Sequence, residues 1–375
     1  MSEPTAADAA RTGAEQLATG LIGDHADAWD RAGELPHGLL RELGGKGVLC
    51  AQVPAAYGGL GLSSADNGEL TAHAGSLCSS VRSVMTSQGM AAWTVERLGS
   101  DEQKAVHLGE LTSGRLAGVA FSEPGAGSDL GAMATTIRTE GDTVVVDGRK
   151  SWITVGAYAD LLVVFGRHGS GAGAVVVPTD APGVTVRRVP DPMGCRAAGH
   201  ADITLDQVRL PADRLLGGAG LPVDWLVTSA LTFGRVSVAW GCVGILRACL
   251  RAAAGHATTR RQSGAPLADH QLVARHLAEL FVAHEASLRC CEQASRCWDG
   301  NSPELVVSAV TAKHLAAGHA ARGATTAVQV LASAGARDGG PVARAYRDAK
   351  LMEIIEGSNE ISQLLLGKHA AAVWS

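Results

Sequence analysis

The spacing of apolar side chains divides the chain into three stretches. In residues 1–117, apolar positions recur at mixed intervals of three and four, which is the period of an amphipathic helix. Residues 118–217 instead contain short Val-rich runs separated by turn residues, and Asp147-Gly148 is typical of a tight hairpin. The helical period returns in residues 218–375. The pattern therefore predicts helices, then strands, then helices.

This order of elements predicts an α+β fold with three domains, at residues 1–117, 118–217 and 218–375. The N-terminal domain is expected to be α-helical. The central domain has no helices between its strands, which favours an antiparallel barrel or sandwich over a doubly wound sheet. The long helical runs of the last domain favour a bundle.

The composition is that of a globular chain, since 46% of its 375 residues are apolar and 18% are charged. A net charge of -5 and the lack of a basic stripe argue against a nucleic-acid surface. The longest apolar run, residues 236–246, is too short to cross a bilayer, and the first residues lack the pattern of a signal peptide. We therefore expect no nucleic-acid partner, no membrane partner and a cytoplasmic location.

Cysteine and histidine do not indicate a special centre. The eight cysteines form no C-x-x-C pair, and several lie in apolar helical runs, so we expect buried free thiols. The 13 histidines show no metal-ligand spacing. We therefore expect no metal site.

Two short motifs suggest a flat cofactor that carries phosphates. The stretch SEPGAGSDLG, residues 122–131, fails the Rossmann pattern because its spacing is G-x-G-x-x-x-G and a predicted strand follows it. Successive glycines still allow backbone N–H groups to surround a pyrophosphate, with Ser128 as a further donor, although an ordinary turn explains them equally well. In SWITVG, Trp152 and Thr154 are two residues apart and should share one strand face. That pair would stack on and hydrogen-bond to a heteroaromatic ring; the alternative is a core Trp beside a surface Thr.

An ionisable group stands where a C-terminal helix should stop. In IIEGSNEISQ, residues 354–363, Glu356 directly precedes Gly357 and Ser358. Gly357 is suited to end one helix and Ser358 to cap the next. Taken alone, Glu356 is most simply a solvated carboxylate beside a helix terminus.

Several stretches in this order resemble the acyl-CoA dehydrogenase family, and the resemblance covers nearly the whole chain. They are AFSEPGAGSD, SWITVG, DQVRLPADRLLG, HATTRRQSGAPLADHQLVARHLAEL and PVARAYRDAKLMEIIEGSNEI. The resemblance implies FAD as cofactor. It also implies an N-terminal α-helical domain, a central antiparallel β-barrel domain and a C-terminal four-helix bundle.

The resemblance further implies roles for single residues. Glu356 matches the family's catalytic base, which removes a proton while flavin N5 accepts a hydride. Residues implied to contact substrate are Ser128, Arg235, Glu356 and Gly357. Residues implied to contact FAD are Phe121, Ser122, Gly127, Ser128, Trp152, Ile153, Thr154, Arg260, Gln262, Gln271, Gln329, Val330, Ser333, Ser358 and Glu360. Arg260 and Gln329 would reach the FAD of an adjacent subunit, which implies a homodimer or homotetramer.

The chain departs from the family pattern at positions that concern the substrate. Thr232 stands where medium-chain members carry an acid near the pantetheine arm, and Ser263 replaces the usual Phe near the adenine. The stretch CRAAGHADI lacks the Ser or Thr often found there. The expected substrate is a short or hydroxylated acyl group on acyl carrier protein or CoA. The branch acting on carrier-bound polyketide extender units is the one that the chain most resembles.

Two alternatives on the same scaffold remain open at this point. A flavin monooxygenase or oxidase would use O₂, but those relatives generally lack the base that Glu356 matches. A non-catalytic flavin-binding protein would not need Trp152, Thr154, Arg260 and Glu356 together. For a dehydrogenase, an electron-accepting flavoprotein or another acceptor is the expected redox partner.

Overall fold

The computed structural model describes residues 6–375, which begin with six helices. Side-chain caps fix two helix starts, since Ser63 accepts from the N–H of Asp66, and Ser100 and Gln103 form a capping box. The helices are α1 Ala6–Ile22, α2 Ala26–Ala32, α3 His37–Gly45, α4 Ser64–Leu77, α5 Ser79–Leu98 and α6 Asp101–Thr112. Because α5 is buried along almost its whole length, it connects this domain to the other two.

The middle of the chain forms one mixed sheet of eight strands. They are β1 Ala117–Ala120, β2 Thr136–Glu140, β3 Thr143–Ile153, β4 Leu161–His168, β5 Gly171–Pro178, β6 Val184–Arg188, β7 Ala201–Pro211 and β8 Leu215–Leu221. The order is β6-β7-β3-β2-β4-β5-β8, and β1 pairs with β4. The hairpin at Asp147-Gly148 does not form, because both residues lie inside β3. The turn between β2 and β3 falls at Gly141 and Asp142 instead.

Most strand pairs are antiparallel as expected, but β4 has two parallel neighbours. β1 pairs with residues 161–164 of β4, and β2 pairs with residues 167–168 on the same edge. The other edge of β4 is occupied by β5. β1 and β2 therefore occupy one strand position in the sheet, one after the other. The loop of residues 121–135 interrupts this position and leaves the sheet between the two strands. Both strands run parallel to β4 because the chain resumes its direction after the loop.

Five long helices complete the described chain: α7 Val223–Thr259, α8 Gln271–Asp299, α9 Leu305–Leu331, α10 Pro341–Met352 and α11 Asn359–Trp374. Between α7 and α8, two short strands form a hairpin, β9 Arg261–Gln262 and β10 Ala265–Pro266. α7 is central and packs on α4, α5, α8, α9 and α10. Small residues let α9 approach it closely, and those buried on α9 include Ala309, Ala312, Ala316, Ala320, Ala324 and Ala327.

Within α7, residues 225–259 are long and apolar enough to cross a membrane by length and composition alone. Of the most apolar window in this helix, 72% is buried inside the protein. The sequence analysis considered only the apolar run of residues 236–246, which is too short to cross a bilayer. The helix that contains this run is much longer. Its apolar character is that of a core helix enclosed by its neighbours.

Candidate active site

The turn between α10 and α11 presents Glu356. The sequence pattern predicts a helix over residues 341–355, but α10 ends three residues earlier, at Met352. Glu356 has φ +55° and Gly357 has φ +87°, so two consecutive residues are left-handed. A left-handed backbone is uncommon for a residue with a Cβ and costs of order 1 kcal/mol or more. The Ser358 hydroxyl then accepts from the N–H of Ile361 and caps α11, as predicted.

Two buried cations from other helices hold this turn. Lys313 of α9 is fully buried, and its Nζ donates to the Gly357 carbonyl at 2.7 Å and to Asn359 Oδ1 at 3.3 Å. Arg235 of α7 is also buried, and its Nε donates to the Glu356 carbonyl at 3.2 Å. Desolvation lowers the pKa of Lys313 to about 8. The position of Glu356 is therefore set by tertiary contacts rather than by the local sequence.

The Glu356 carboxylate is buried although the residue as a whole is partly exposed. Oε2 has no hydrogen-bond partner among the described residues. Desolvation raises the pKa of this carboxyl to about 7, against the opposing charges of Arg235, Lys313 and Arg82. A carboxylate with this pKa can accept a proton near neutral pH.

Trp152 and Thr154 lie at an irregular end of β3. The register between β3 and β7 shifts between Lys150 and Ile153, Trp152 has φ +59°, and β3 ends at Ile153. The predicted alternation on one strand face is therefore wrong. The Trp152 side chain is 56% exposed, Ile153 is buried, and the Thr154 carbonyl accepts from the Ser87 hydroxyl of α5 at 3.3 Å. The exposed indole offers a flat surface at this end of β3.

His200, just before β7, joins these two residues and was not among the sequence candidates. Its ring centroid lies 5.8 Å from that of Trp152, and its Nδ1 lies 3.4 Å from the Thr154 hydroxyl. Its Nε2 is buried without a partner among the described residues. Desolvation lowers the pKa of His200 to about 4, with further lowering by Arg82 and Arg188, so the ring is neutral at pH 7. The missing Ser or Thr in CRAAGHADI was the only sign of it in the sequence.

A buried ion pair ties down the loop of residues 121–135. Glu123 accepts from the backbone N–H groups of Ala134 at 2.7 Å and Thr135 at 3.0 Å, and from Lys150 Nζ at 2.7 Å. Lys150 also donates to the Phe121 carbonyl at 3.1 Å. Burial alone would raise the pKa of Glu123, but Lys150 and the two N–H groups lower it. Both ends of the loop are thus fixed to β3.

The loop candidates differ in exposure. The Phe121 ring is buried and stacks on Phe165 with centroids 3.7 Å apart, while the Ser122 carbonyl accepts from the N–H of Ser151. Gly127 and Ser128 are exposed at the tip. The tip therefore presents exposed backbone and the Ser128 hydroxyl to a ligand.

A further set of candidates lies near helix ends: Glu360 is in the first turn of α11, directly after the Glu356 turn, and the others lie around the ends of α7, α8 and α9. Their backbone links are local, since the N–H of Leu267 donates to the Arg260 carbonyl and His270 Nε2 lies 3.2 Å from the Gln262 carbonyl. Val330 is buried. The exposed members are Arg260, Gln262, Gln271, Gln329, Ser333 and Glu360. Contact of these residues with FAD stays a prediction, as does the reach of Arg260 and Gln329 to the FAD of a neighbouring subunit.

The face formed by the loop, Trp152 and His200 fits FAD. A Cβ atom built on Gly125 or Gly127 would meet nothing within 4 Å, so the loop backbone is open to a large ligand. The exposed indole and the buried, unpartnered Nε2 of His200 supply a stacking surface and a polar atom in need of a partner. Between this face and Glu356 runs α5, whose Ser87 contacts Thr154 and whose Met90 lies at Gly234 beside Glu356.

These features define a class of protein that combines a surface suited to a flat cofactor with a buried carboxylate of raised pKa. Comparison with known proteins gives the family. The chain belongs to the acyl-CoA dehydrogenase family, FAD-dependent oxidoreductases of acyl thioesters. It matches the N-terminal domain of that family over residues 5–115, the middle domain over 118–208 and the C-terminal domain over 224–371.

Similar proteins place the chain within this family. The structure of FkbI, for biosynthesis of the methoxymalonyl extender unit of the Fk520 polyketide immunosuppressant, is 60% identical. The two structures superpose with a TM-score of 0.92, and the match covers 96% of this chain and 99% of the FkbI chain. A probable acyl-CoA dehydrogenase, YngJ of Bacillus subtilis, is 34% identical over 92% of this chain and 93% of its own length. The human mitochondrial short-chain specific acyl-CoA dehydrogenase is 33% identical over 91% and 84%.

Proposed function

We propose that this protein oxidises a short, oxygen-bearing acyl group carried as a thioester on acyl carrier protein, with Glu356 as the base. The observation that carries the proposal is the Glu356 carboxylate itself. It is buried and unpartnered at Oε2, its pKa is raised to about 7, and three cations lie near enough to stabilise its charge. A carboxylate kept in this state serves no structural purpose that the described contacts reveal.

The chemistry follows from the positions of these groups. FAD, when bound, supplies the acceptor for the hydride that leaves the acyl chain. The α-proton of a thioester becomes removable when hydrogen bonds stabilise the oxygen of the developing enolate. The N–H of Glu356 makes no hydrogen bond to another residue in 6–375, so it is available to the thioester oxygen. The Glu356 carboxylate accepts the proton; with a hydroxyacyl group it would accept the hydroxyl proton instead, and a carbonyl would form.

Aromatic side chains beyond Glu356 support a short acyl group. The Phe233 ring fills the space beside Gly89, where a Cβ atom would lie 2.5 Å from it. Trp298 packs on Phe233 and on Trp93, with ring centroids 5.7 Å and 4.6 Å apart. Trp240 lies in the same way against Gly68. This cluster closes the space between α4, α5 and α7 to a long hydrocarbon chain.

Two observations bear on the carrier. The Thr232 hydroxyl, at the position where medium-chain members have an acid, donates to the Thr228 carbonyl at 2.7 Å and is therefore used within α7. Threonine is uncharged and this side chain is buried, so the position offers no acid to a pantetheine arm. The similarity to FkbI supports a carrier-bound extender unit as substrate. The similarity to the short-chain enzymes favours the second candidate, α–β desaturation of an ordinary short acyl-CoA.

Anaerobic titration decides between these candidates. One short acyl group, with and without a hydroxyl, is presented both on CoA and on acyl carrier protein, and flavin bleaching is followed by absorbance. We expect faster reduction by the carrier-bound form. Equal or faster reduction by the CoA form would remove the carrier proposal and leave the acyl-CoA dehydrogenase. The natural electron acceptor, the homo-oligomer and the cytoplasmic location remain predictions.

A further inference from the structure

The hydroxyl of Thr154 has one hydrogen-bond partner among the described residues, the imidazole of His200. His200 Nδ1 lies 3.4 Å from Thr154 Oγ, and no other residue in 6–375 bonds this hydroxyl. The same imidazole lies beside the exposed Trp152 indole, with ring centroids 5.8 Å apart. Any orientation that the protein imposes on the Thr154 hydroxyl therefore comes from His200.

Backbone hydrogen bonds hold the two residues in a fixed relation. The carbonyl of Ala198 accepts from the N–H of Val155, directly after Thr154, at 3.0 Å. The carbonyl of His200 accepts from the N–H of Val189 at 2.8 Å. The backbones of Thr154 and His200 are thus fixed, and the contact between them depends only on the two side chains.

The surroundings of Nε2 indicate which ring nitrogen of His200 carries the proton. Nε2 is buried and has no hydrogen-bond partner among the described residues. Buried N–H groups without an acceptor are rarer in proteins than buried acceptors without a donor. Nδ1, in contrast, has an acceptor within reach in Thr154 Oγ. The proton therefore belongs on Nδ1, and Nε2 offers a lone pair.

The His200 ring carries a single proton at neutral pH. Burial lowers its pKa to about 4, and the charges of Arg82 and Arg188 contribute to this shift. A neutral imidazole has one donor and one acceptor nitrogen. Because Nδ1 is the donor, the Thr154 hydroxyl accepts from it and keeps its own proton for another acceptor.

We propose that His200 is a positioning residue for Thr154: its Nδ1–H donates to Thr154 Oγ, which leaves the hydroxyl proton to donate to the ring of bound FAD. A flavin ring presents nitrogen and oxygen acceptors, and reduction increases their electron density. A donor held toward the ring therefore stabilises the reduced cofactor and raises its reduction potential. The assignment requires FAD but not the proposed substrate or carrier.

The reduction potential of bound FAD tests this assignment in the absence of substrate. It is measured by equilibration of the holoenzyme with a reference dye. In His200→Gln the amide N–H groups lie near the position of Nε2 instead of Nδ1. We expect the ratio of reduced to oxidised FAD at a given potential to fall about tenfold, which is about 30 mV for a two-electron couple. In His200→Asn the amide N–H groups lie near the position of Nδ1, so the ratio should stay within about twofold of the parent.

The effect of His200 should depend on the Thr154 hydroxyl. Thr154→Val removes this hydroxyl and should lower the potential by itself. In the Thr154→Val background, His200→Gln should add no further shift, because the two residues act through one contact. A loss that came from general disturbance of the fold would instead add to the first.

His168 provides a matched control in the same sheet. It is buried, its Nε2 lies 3.1 Å from the Thr139 hydroxyl, and its Nδ1 has no partner among the described residues. It is the last residue of β4, whereas β1 pairs with the first half of that strand. His168→Gln should leave the potential of FAD unchanged.

Nitrogen-15 NMR of the histidine-labelled holoenzyme tests the protonated nitrogen directly, even if His200→Gln does not fold. The His200 signal, identified by its loss in His200→Asn, should show the proton on Nδ1. A proton on Nε2 would overturn the assignment. So would a parental potential in His200→Gln, equal shifts in the Gln and Asn variants, or a full shift in the Thr154→Val background. Failure of the proposed function appears elsewhere, as a lack of flavin reduction by carrier-bound substrate.

Discussion

The carboxylate of Glu356 lies against Gly234 so closely that a Cβ atom at position 234 would overlap it. Gly234 is on α7 and Glu356 is in the turn after α10, far apart in sequence. The absence of a side chain at one position therefore makes room for the carboxylate of the other. Arg235, the next residue of α7, holds the backbone of Glu356, so α7 fixes the turn on two sides.

Gly234→Ala should displace the carboxylate while leaving the fold intact. Alanine favours a helix by about 1 kcal/mol over glycine, which offsets part of the steric cost. We expect flavin reduction by substrate to fall by about 100-fold or more, since small displacements of a catalytic group have effects of this order. Gly255→Ala is the control, because a Cβ there meets nothing within 4 Å on the same helix. Equal loss in both variants, or no loss in Gly234→Ala, would contradict the steric argument.

Glu356→Gln should abolish proton removal and little else. The amide has nearly the shape of the carboxyl but cannot accept the proton, so we expect a loss of several orders of magnitude in flavin reduction. Binding of FAD and of thioester should persist. Glu353→Gln, which changes a carboxylate of the same turn that pairs with Lys350, should stay near the parent rate. Reduction by Glu356→Gln within about tenfold of the parent, a difference of roughly 1.4 kcal/mol, would exclude Glu356 as the base.

The raised pKa of Glu356 also predicts how stability depends on pH. Because its folded pKa of about 7 exceeds the ordinary value of 4.5, the folded state binds the extra proton between these values. Stability is therefore lost as pH rises from about 4.5 to 7, and Glu356→Gln escapes this loss. The melting temperature of the variant should be a few degrees above that of the parent at pH 8, and the two temperatures should be equal at pH 4.5. An advantage that is constant with pH would show that the carboxyl is not perturbed by burial.

The same pKa predicts the pH profile of catalysis. The carboxylate form must accept the proton, so the rate of flavin reduction at low substrate should rise with pH to a plateau above about 7. Stopped-flow measurement of flavin reduction from pH 5 to 9 records this rising limb of the pH–rate profile. His200 should not contribute a second limb in this range, because its pKa is lowered to about 4. A profile without a limb near 7 would contradict the burial of Glu356.

Local sequence could identify the parts of the turn but not its shape. Gly357 and Ser358 are a helix terminator and a cap by residue type, and Ser358 does cap α11. The end of α10 at Met352 depends on Lys313, which bonds the Gly357 carbonyl from another helix. No local pattern contains that contact. For the same reason the left-handed backbone of Glu356 could not be predicted.

Strand pairing and burial set the other limits of prediction. The alternation of Trp152 and Thr154 fails because the register between β3 and β7 shifts there, which depends on a partner strand about 50 residues later. β1 and β2 flank one edge of β4 because the loop between them leaves the sheet, and short Val-rich runs carry no sign of direction. Arg82 would be placed on a surface by residue type, and only the packing of α5 between its neighbours buries it.

Glu123 should control FAD binding without touching the cofactor. Its carboxylate accepts two backbone N–H groups of the loop and pairs with buried Lys150, so Glu123→Ala leaves a buried cation unpaired and frees the loop. Breaking such a pair from one side costs about 3–5 kcal/mol, and we expect FAD to bind at least tenfold more weakly. Lys150→Met should be milder, because the N–H bonds to Glu123 remain. Glu140→Gln, an exposed carboxylate of β2 paired with Arg209, should leave FAD binding unchanged. The measurement is the dissociation constant of FAD by fluorescence. Parental affinity in Glu123→Ala would mean that the loop holds its shape without the ion pair.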